Sequence, residues 1–166
     1  GVSGVSILLK TKKADEMIRV IEAIAPSFGA IQLEDIAAPE CFEVERELCA
    51  RLDQPVLHDD QHGTAVVVIA ALINAAKISG VNLQECVVGQ IGLGAAGLGI
   101  AQLLIRFGVH KILGADLSTD AQARLKDMGG KPADLETVMK QADVVISTTG
   151  VKGLIKPEMV REGQII

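Results

Sequence analysis

The sequence predicts an α/β chain: a doubly wound parallel sheet preceded by part of a smaller α/β domain. Three observations carry this reading. From Cys86 onward, short apolar runs alternate with helical patterns, as strands and crossover helices do in such sheets. The run Cys86–Ile91 is apolar apart from Gly89 and Gln90, as suits a strand covered on both faces. Directly after it, Gly92-Leu-Gly94-Ala-Ala-Gly97 spaces its glycines for a tight turn that opens a helix. At 166 residues, 49% hydrophobic and 22% charged, the chain can hold one ordinary domain plus a fragment of another.

Taken in order, residues 1–9 read as a loop entering a short strand, with no cap, so the chain is expected to begin inside a larger domain. Met17, Ile18, Ile21 and Ile24 recur at helical spacing over Ala14–Ile24, and Pro26 with Gly29 ends that helix. Ala30–Leu33 is a short buried strand. Pro39 opens a helix over Glu40–Leu52, with Phe42, Val44, Leu48 and Leu52 facing inward. Pro55–Leu57 is another strand, and Gly63-Thr64 starts a long helix that Gly80 stops. Beyond Cys86–Ile91, the pattern predicts a helix to Phe107, a strand Lys111–Ala115, and an irregular helix Thr119–Met128. A helix Asp134–Gln141, a strand Asp143–Ser147, a short helix from Lys156-Pro157 and a strand entered at Gln164 complete it. The boundaries divide the chain at 1–57 and 58–166, with the second domain incomplete at its C-terminal side. Internal repeats and low-complexity linkers are absent from the sequence.

The bulk composition excludes some functions. A net charge of −5, with no basic cluster larger than Lys10-Thr-Lys-Lys13, argues against nucleic-acid binding. The apolar stretch Ala65–Ala76 reads as too short to span a bilayer, and no signal peptide heads the chain. Cys41, Cys49 and Cys86 lack metal-type spacing and read as reduced, buried thiols of a cytoplasmic protein. Tyrosine is absent, so no tyrosine of these residues can act as a general acid.

The glycine pattern points to a dinucleotide. Gly92 permits the turn, Gly94 lets a pyrophosphate approach the backbone, and Gly97 allows close packing, while the helix N-terminus favours phosphate. Asp116 ends the next strand, 19 positions beyond Gly97 (116 − 97), where an acid can bind a ribose 2′-hydroxyl. The same carboxylate repels a 2′-phosphate, so NAD is preferred over NADP, although Ser118 and Thr119 leave room for NADP. Ser147 and Gly150, in Ser147-Thr-Thr-Gly150, lie where the nicotinamide end should fall, unless they form a plain strand-to-loop turn. A Rossmann-type domain without this ligand is the structural alternative.

Two acidic pairs follow apolar strands: Glu34-Asp35 after Ala30–Leu33, and Asp59-Asp60 after Pro55–Leu57. Charges beside buried surface call for a bound cation or a basic partner, or else are solvated loop ends. Glu34, Asp35 and Asp60 supply three hard oxygen ligands suited to Mg²⁺ or Mn²⁺ with positions open for substrate. His58 and His62 stand four apart, but Asp59 replaces the Glu of zinc-protease helices. The stretch reads as strand end and turn, which disfavours zinc.

Three segments in this order carry a family resemblance: Gln32-Leu33-Glu34-Asp35-Ile36 with Pro39-x-Cys41-Phe42-Glu43, then Pro55 to Ala65, then Gly92-x-Gly94-Ala95-Ala96-Gly97. They resemble the bacterial malic enzymes, NAD(P)-dependent decarboxylating malate dehydrogenases, and their malolactic relatives, from about Lys10 to Ile166. The resemblance implies that Glu34, Asp35 and Asp60 bind the divalent cation and that Asp59 tunes the protonation of the catalytic groups. It also implies that Gly92, Gly94, Ala95, Ala96 and Gly97 hold the dinucleotide with Asp116, and that the domains part just before Asp59-Asp60. A homodimer or larger homo-oligomer is expected on the same ground.

The implied chemistry is hydride transfer from malate C2 to the nicotinamide, loss of CO₂ from the resulting β-keto acid, and protonation of the enolate to pyruvate. The family's general-base lysine, general-acid tyrosine and substrate-binding arginine lie upstream of Gly1, and an asparagine-proline element that contacts malate lies past Ile166. Lys10, Lys12 and Lys13 fall outside the lysine motif. The 166 residues alone are therefore expected not to turn over malate. Malolactic conversion, or a non-catalytic dinucleotide-sensing module, are the alternatives.

Overall fold

The computed structural model describes residues 1–166, which divide into two compact units, Gly1–His58 and Asp59–Ile166. In the first, the elements run α1 (Ala14–Ile24), β1 (Ile31–Leu33), α2 (Glu40–Arg51) and β2 (Val56–His58). The helical spacing of Met17, Ile18 and Ile21 gives α1 one apolar face, buried with Leu33, Val44 and Leu48. A 3₁₀ turn over Ala25–Ser27, with Pro26 inside it, ends α1. β1 and β2 pair in parallel, Ile31 opposite Val56 and Leu33 opposite His58.

Three expectations change here. Residues 1–9 form no strand, because the apolar run Ile7-Leu8-Leu9 gains no ladder partner. Phe42 is half-buried rather than core, whereas Leu52, also half-buried, packs inward against the Val44 and Leu48 cluster. Cys49 is exposed, whereas Cys41 and Cys86 are buried, and none of the three forms a disulfide.

The second unit runs α3 (Asp59–Ser79), β3 (Val87–Ile91), α4 (Ala95–Arg106), β4 (Lys111–Ala115), α5 (Thr119–Asp127), β5 (Lys131–Pro132), α6 (Leu135–Gln141) and β6 (Val144–Ser147). Its four strands are parallel in the order β5-β4-β3-β6. Near the C-terminus, Ile165 bridges in parallel to Val144. From β3 the chain steps outward through β4 and β5, then returns to place β6 on the other side. The switch point of this doubly wound sheet therefore lies between the C-terminal ends of β3 and β6, where such folds bind ligands. Ile91, Leu113, Ala115 and Val145 from the sheet pack with Val138, Met139 and Ala142 at α6.

The long helix begins at Asp59, four residues before Gly63, so Asp59 to His62 form its first turn instead of a strand end and turn. At 21 residues α3 is long and apolar enough to cross a bilayer by length and composition, which corrects the expectation drawn from Ala65–Ala76. Its buried stripe Ala65, Ile69, Leu72 and Ala76 belongs instead to packing that includes α4. Gly99 admits this approach: a Cβ there would stand 2.5 Å from the Gln61 carbonyl oxygen.

Asp134 caps α6, accepting a hydrogen bond from the Thr137 N–H at 2.7 Å. That bond, then one from the Thr137 side chain, holds its carboxyl below the usual range. A depressed folded-state pKa stabilises the fold above the ordinary carboxylate pKa, and that stability is lost as pH falls through the folded value. Asp134→Ala is accordingly expected to lower the thermal midpoint at neutral pH. The gap from the parent should close in acid, which melts at the two pH values will show.

Candidate functional site

The glycine turn joins β3 to α4. Gly92 has a φ of 87°, and a Cβ there would also lie 2.8 Å from the Thr148 carbonyl oxygen, so both backbone and space require glycine. A Cβ on Gly97 would overlap the Gly92 carbonyl oxygen, which fixes how closely α4 folds back on its own turn. Gly94 differs. As N-cap of α4 it has an ordinary extended backbone (φ −74°, ψ −161°), and a Cβ there would meet nothing within 4 Å. Neither conformation nor protein packing demands glycine at this exposed position, which faces open space. The N–H groups at the start of α4, with Ala95 and Ala96 in its first turn, make that space favourable for phosphate.

Asp116 follows β4 at the rim of the turn. Its Oδ2 accepts the Leu93 N–H at 2.6 Å and its Oδ1 the Ser118 N–H at 2.8 Å. The carboxylate thus ties the glycine turn to the loop after β4. Ser118 caps α5 by accepting the Ala121 N–H at 3.3 Å. Ser147 ends β6 and is exposed, and Gly150 follows in an open loop. Gly92, Gly94, Gly97, Asp116, Ser147 and Gly150 therefore all lie at the C-terminal ends of three neighbouring parallel strands, β4, β3 and β6.

The acidic residues are distributed between the two units. Glu34 and Asp35 follow β1 in the first. Glu34 is exposed and accepts one long bond from Gln32 Nε2 at 3.3 Å, which leaves lone pairs for a ligand. Asp35 takes a left-handed backbone (φ 57°), a conformation in which Asp is enriched among non-glycine residues. Asp59 and Asp60 form the first turn of α3 in the second unit, where the helix dipole favours negative charge. No cluster of three or more His, Cys, Asp or Glu able to hold a metal forms within either unit. A set of carboxylates without thiolate or imidazole fits a hard divalent ion. Gly63, expected to open the helix, instead makes room inside it: a Cβ there would collide with the Asp59 carboxylate. His58 closes β2, buried, its N–H donating to Glu45 Oε1 at 3.0 Å, while His62 lies in α3, so the pair does not share a helix.

One buried group escaped the sequence reading. Gln90, which looked like an interruption of an apolar strand, is fully buried beneath the glycine turn and bonded to both the turn and Thr148. Its signal was available: a lone amide in an apolar strand, two residues before a glycine turn, must find hydrogen-bond partners.

The sheet order and the glycine turn define the second unit as a dehydrogenase-type dinucleotide-binding domain. Residues 58–155 match the family model "D-isomer specific 2-hydroxyacid dehydrogenase, NAD binding domain", and residues 9–49 match "Malic enzyme, N-terminal domain". The chain is 50% identical to NAD-dependent malic enzyme 1 of Bacillus subtilis over 100% of its own length and 38% of that protein. It is 41% identical to the NAD-dependent malic enzyme of Geobacillus stearothermophilus over 98% of its length and 36% of that protein. Relatives described as NADP-dependent match as well. Among solved structures, the malic enzyme from Pyrococcus horikoshii superposes with a TM-score of 0.83 at 35% identity, covering 92% of this chain and 40% of that one. The chain belongs to the malic enzyme family. It spans less than half the length of these relatives. The D-isomer specific dehydrogenase from Lactobacillus delbrueckii, at 18% identity, shares the fold alone.

Proposed function

We propose that this chain is the dinucleotide-binding part, with a portion of the metal-binding part, of an NAD(P)-dependent malic enzyme that oxidatively decarboxylates malate to pyruvate and CO₂. The observation that carries the dinucleotide reading is Gly94, a glycine required by nothing in the protein and set at the N-terminus of α4. Gly92, Gly94, Ala95, Ala96 and Gly97 take the pyrophosphate, Asp116 the adenosine ribose, and Ser147 with Gly150 the nicotinamide end. NAD is the preferred cofactor, because the Asp116 carboxylate at the turn would repel a 2′-phosphate.

Glu34, Asp35 and Asp60 are the proposed ligands of one Mg²⁺ or Mn²⁺, on the chemistry of the donor set and the family's pattern. When bound, such an ion polarises substrate oxygens as a Lewis acid. Asp59 is the proposed tuner of protonation, residues 1–57 and 58–166 the proposed metal-binding and cofactor domains. A homo-oligomer in the cytoplasm belongs to the same reading, to which the exposed Val66, Val67 and Ile78 of α3 lend support. One match is described as a bifunctional malic/malolactic enzyme, at 37% identity, so malolactic conversion is the second reading. Net NADH release from L-malate and NAD⁺ by the whole protein separates the two.

Asp116→Asn tests the cofactor assignment. It keeps the side-chain size and removes the charge. Discrimination between NADH and NADPH, read by ligand fluorescence, is expected to narrow by about tenfold, the equivalent of ~1.4 kcal/mol. An unchanged ratio would remove Asp116 from the ribose site.

A further inference from the structure

We infer that Gln90 and Thr148 form a buried staple across the switch point of the sheet, positioning the pyrophosphate turn relative to the loop that receives the nicotinamide end. This rests on the dinucleotide reading above and adds to it the fully buried Gln90 and the half-buried Thr148. Gln90 lies on the central strand β3 and is fully buried. Its Nε2 donates to Thr148 Oγ1 at 2.9 Å and to the Gly92 carbonyl at 3.1 Å, with the Ile91 carbonyl at 3.4 Å. Thr148 Oγ1 in turn donates to the Gly92 carbonyl at 3.1 Å, and the Thr148 N–H to the Ile91 carbonyl at 2.8 Å. The amide orientation follows from chemistry: two of the oxygens around Nε2 are carbonyls, which accept only, so the reversed amide would set oxygen against oxygen.

Two features mark this as more than strand packing. The Gln90 Oε1 is buried without a hydrogen-bond partner, a cost an apolar side chain of similar size would not carry. Yet the amide nitrogen is spent on the end of β3 and on the two loops that face each other where the strand order reverses. Gly97 closes the arrangement from the other side, since a Cβ there would also approach Gln90 Nε2 at 3.1 Å. With the turn and the β6 loop bonded to one amide, their spacing is set before ligand arrives, and preorganisation of this kind favours a ligand that spans both.

The test compares the full chain with Gln90→Met, which keeps volume and removes the donors, and with Thr148→Val, which removes the hydroxyl alone. Dissociation constants are measured for NADH, which spans both loops, and for ADP-ribose, which reaches only the turn. NADH is expected to bind roughly tenfold more weakly to each variant, with ADP-ribose affected much less and the thermal midpoint of Gln90→Met close to that of the parent. If Gln90→Met fails to fold, Thr148→Val decides. Equal weakening of both ligands, or no weakening of either, overturns the staple. Failure of the parent itself to bind NADH overturns the dinucleotide reading and the staple with it.

Discussion

Gly97→Ala is expected to destabilise the fold by about 1–3 kcal/mol and to abolish measurable NADH binding. The added methyl would collide with the Gly92 carbonyl oxygen, a backbone atom that cannot swing aside. The Gly92 carbonyl is itself held by Thr148 and Gln90, so relief must come from α4 moving away from β3. That shift displaces the N–H groups that would face phosphate. Gly94→Ala supplies the contrast. Its methyl would meet no protein atom and its backbone is ordinary, so stability should stay near that of the parent. NADH binding should nevertheless be lost, because the methyl fills space reserved for the pyrophosphate. Denaturant unfolding and NADH titration of the two variants separate the roles. Retention of NADH binding by Gly94→Ala would remove the argument that its open space belongs to a ligand.

Much of this site is legible in sequence because its logic is local. A glycine turn between an apolar strand and a helix constrains backbone within six residues, and β4 runs over Lys111–Ala115 as its apolar pattern indicates. The start of α3 was less legible. Asp, His and Gly are poor helix formers, and set between the apolar run Val56-Leu57 and Gly63 they read as strand end and turn. The helix gains its extra turn with Asp59 and Asp60 at its N-terminus, where the dipole favours negative charge. β5 has only two residues, one of them Pro132, too short for any periodicity, and is strand only because β4 offers an edge. The strand expected in residues 1–9 fails for the converse reason, since an apolar run without a partner has no ladder. Gln90 was legible as an oddity but not as a staple, because its partner Thr148 is 58 residues away in sequence.

Asp60→Asn is expected to lower Mn²⁺ affinity by about 100-fold or more, because loss of even an outer-shell partner costs ~10–100-fold at metal sites. The substitution must be read beside Asp59→Asn. Both residues occupy the first turn of α3, and each replacement removes one negative charge from the same positive end of the helix dipole. If the pair serves only to start the helix, the two variants should lose similar, small stability, about 0.3–1 kcal/mol each, and neither should alter metal binding. If Asp60 is a ligand and Asp59 is not, their stabilities should still be alike while Mn²⁺ binding separates them, falling steeply in Asp60→Asn and little in Asp59→Asn. Calorimetric titration of the parent and both variants reads this without requiring turnover. Equal Mn²⁺ heats in all three proteins, or none in the parent, would return the acidic pair to a purely structural role at the head of its helix.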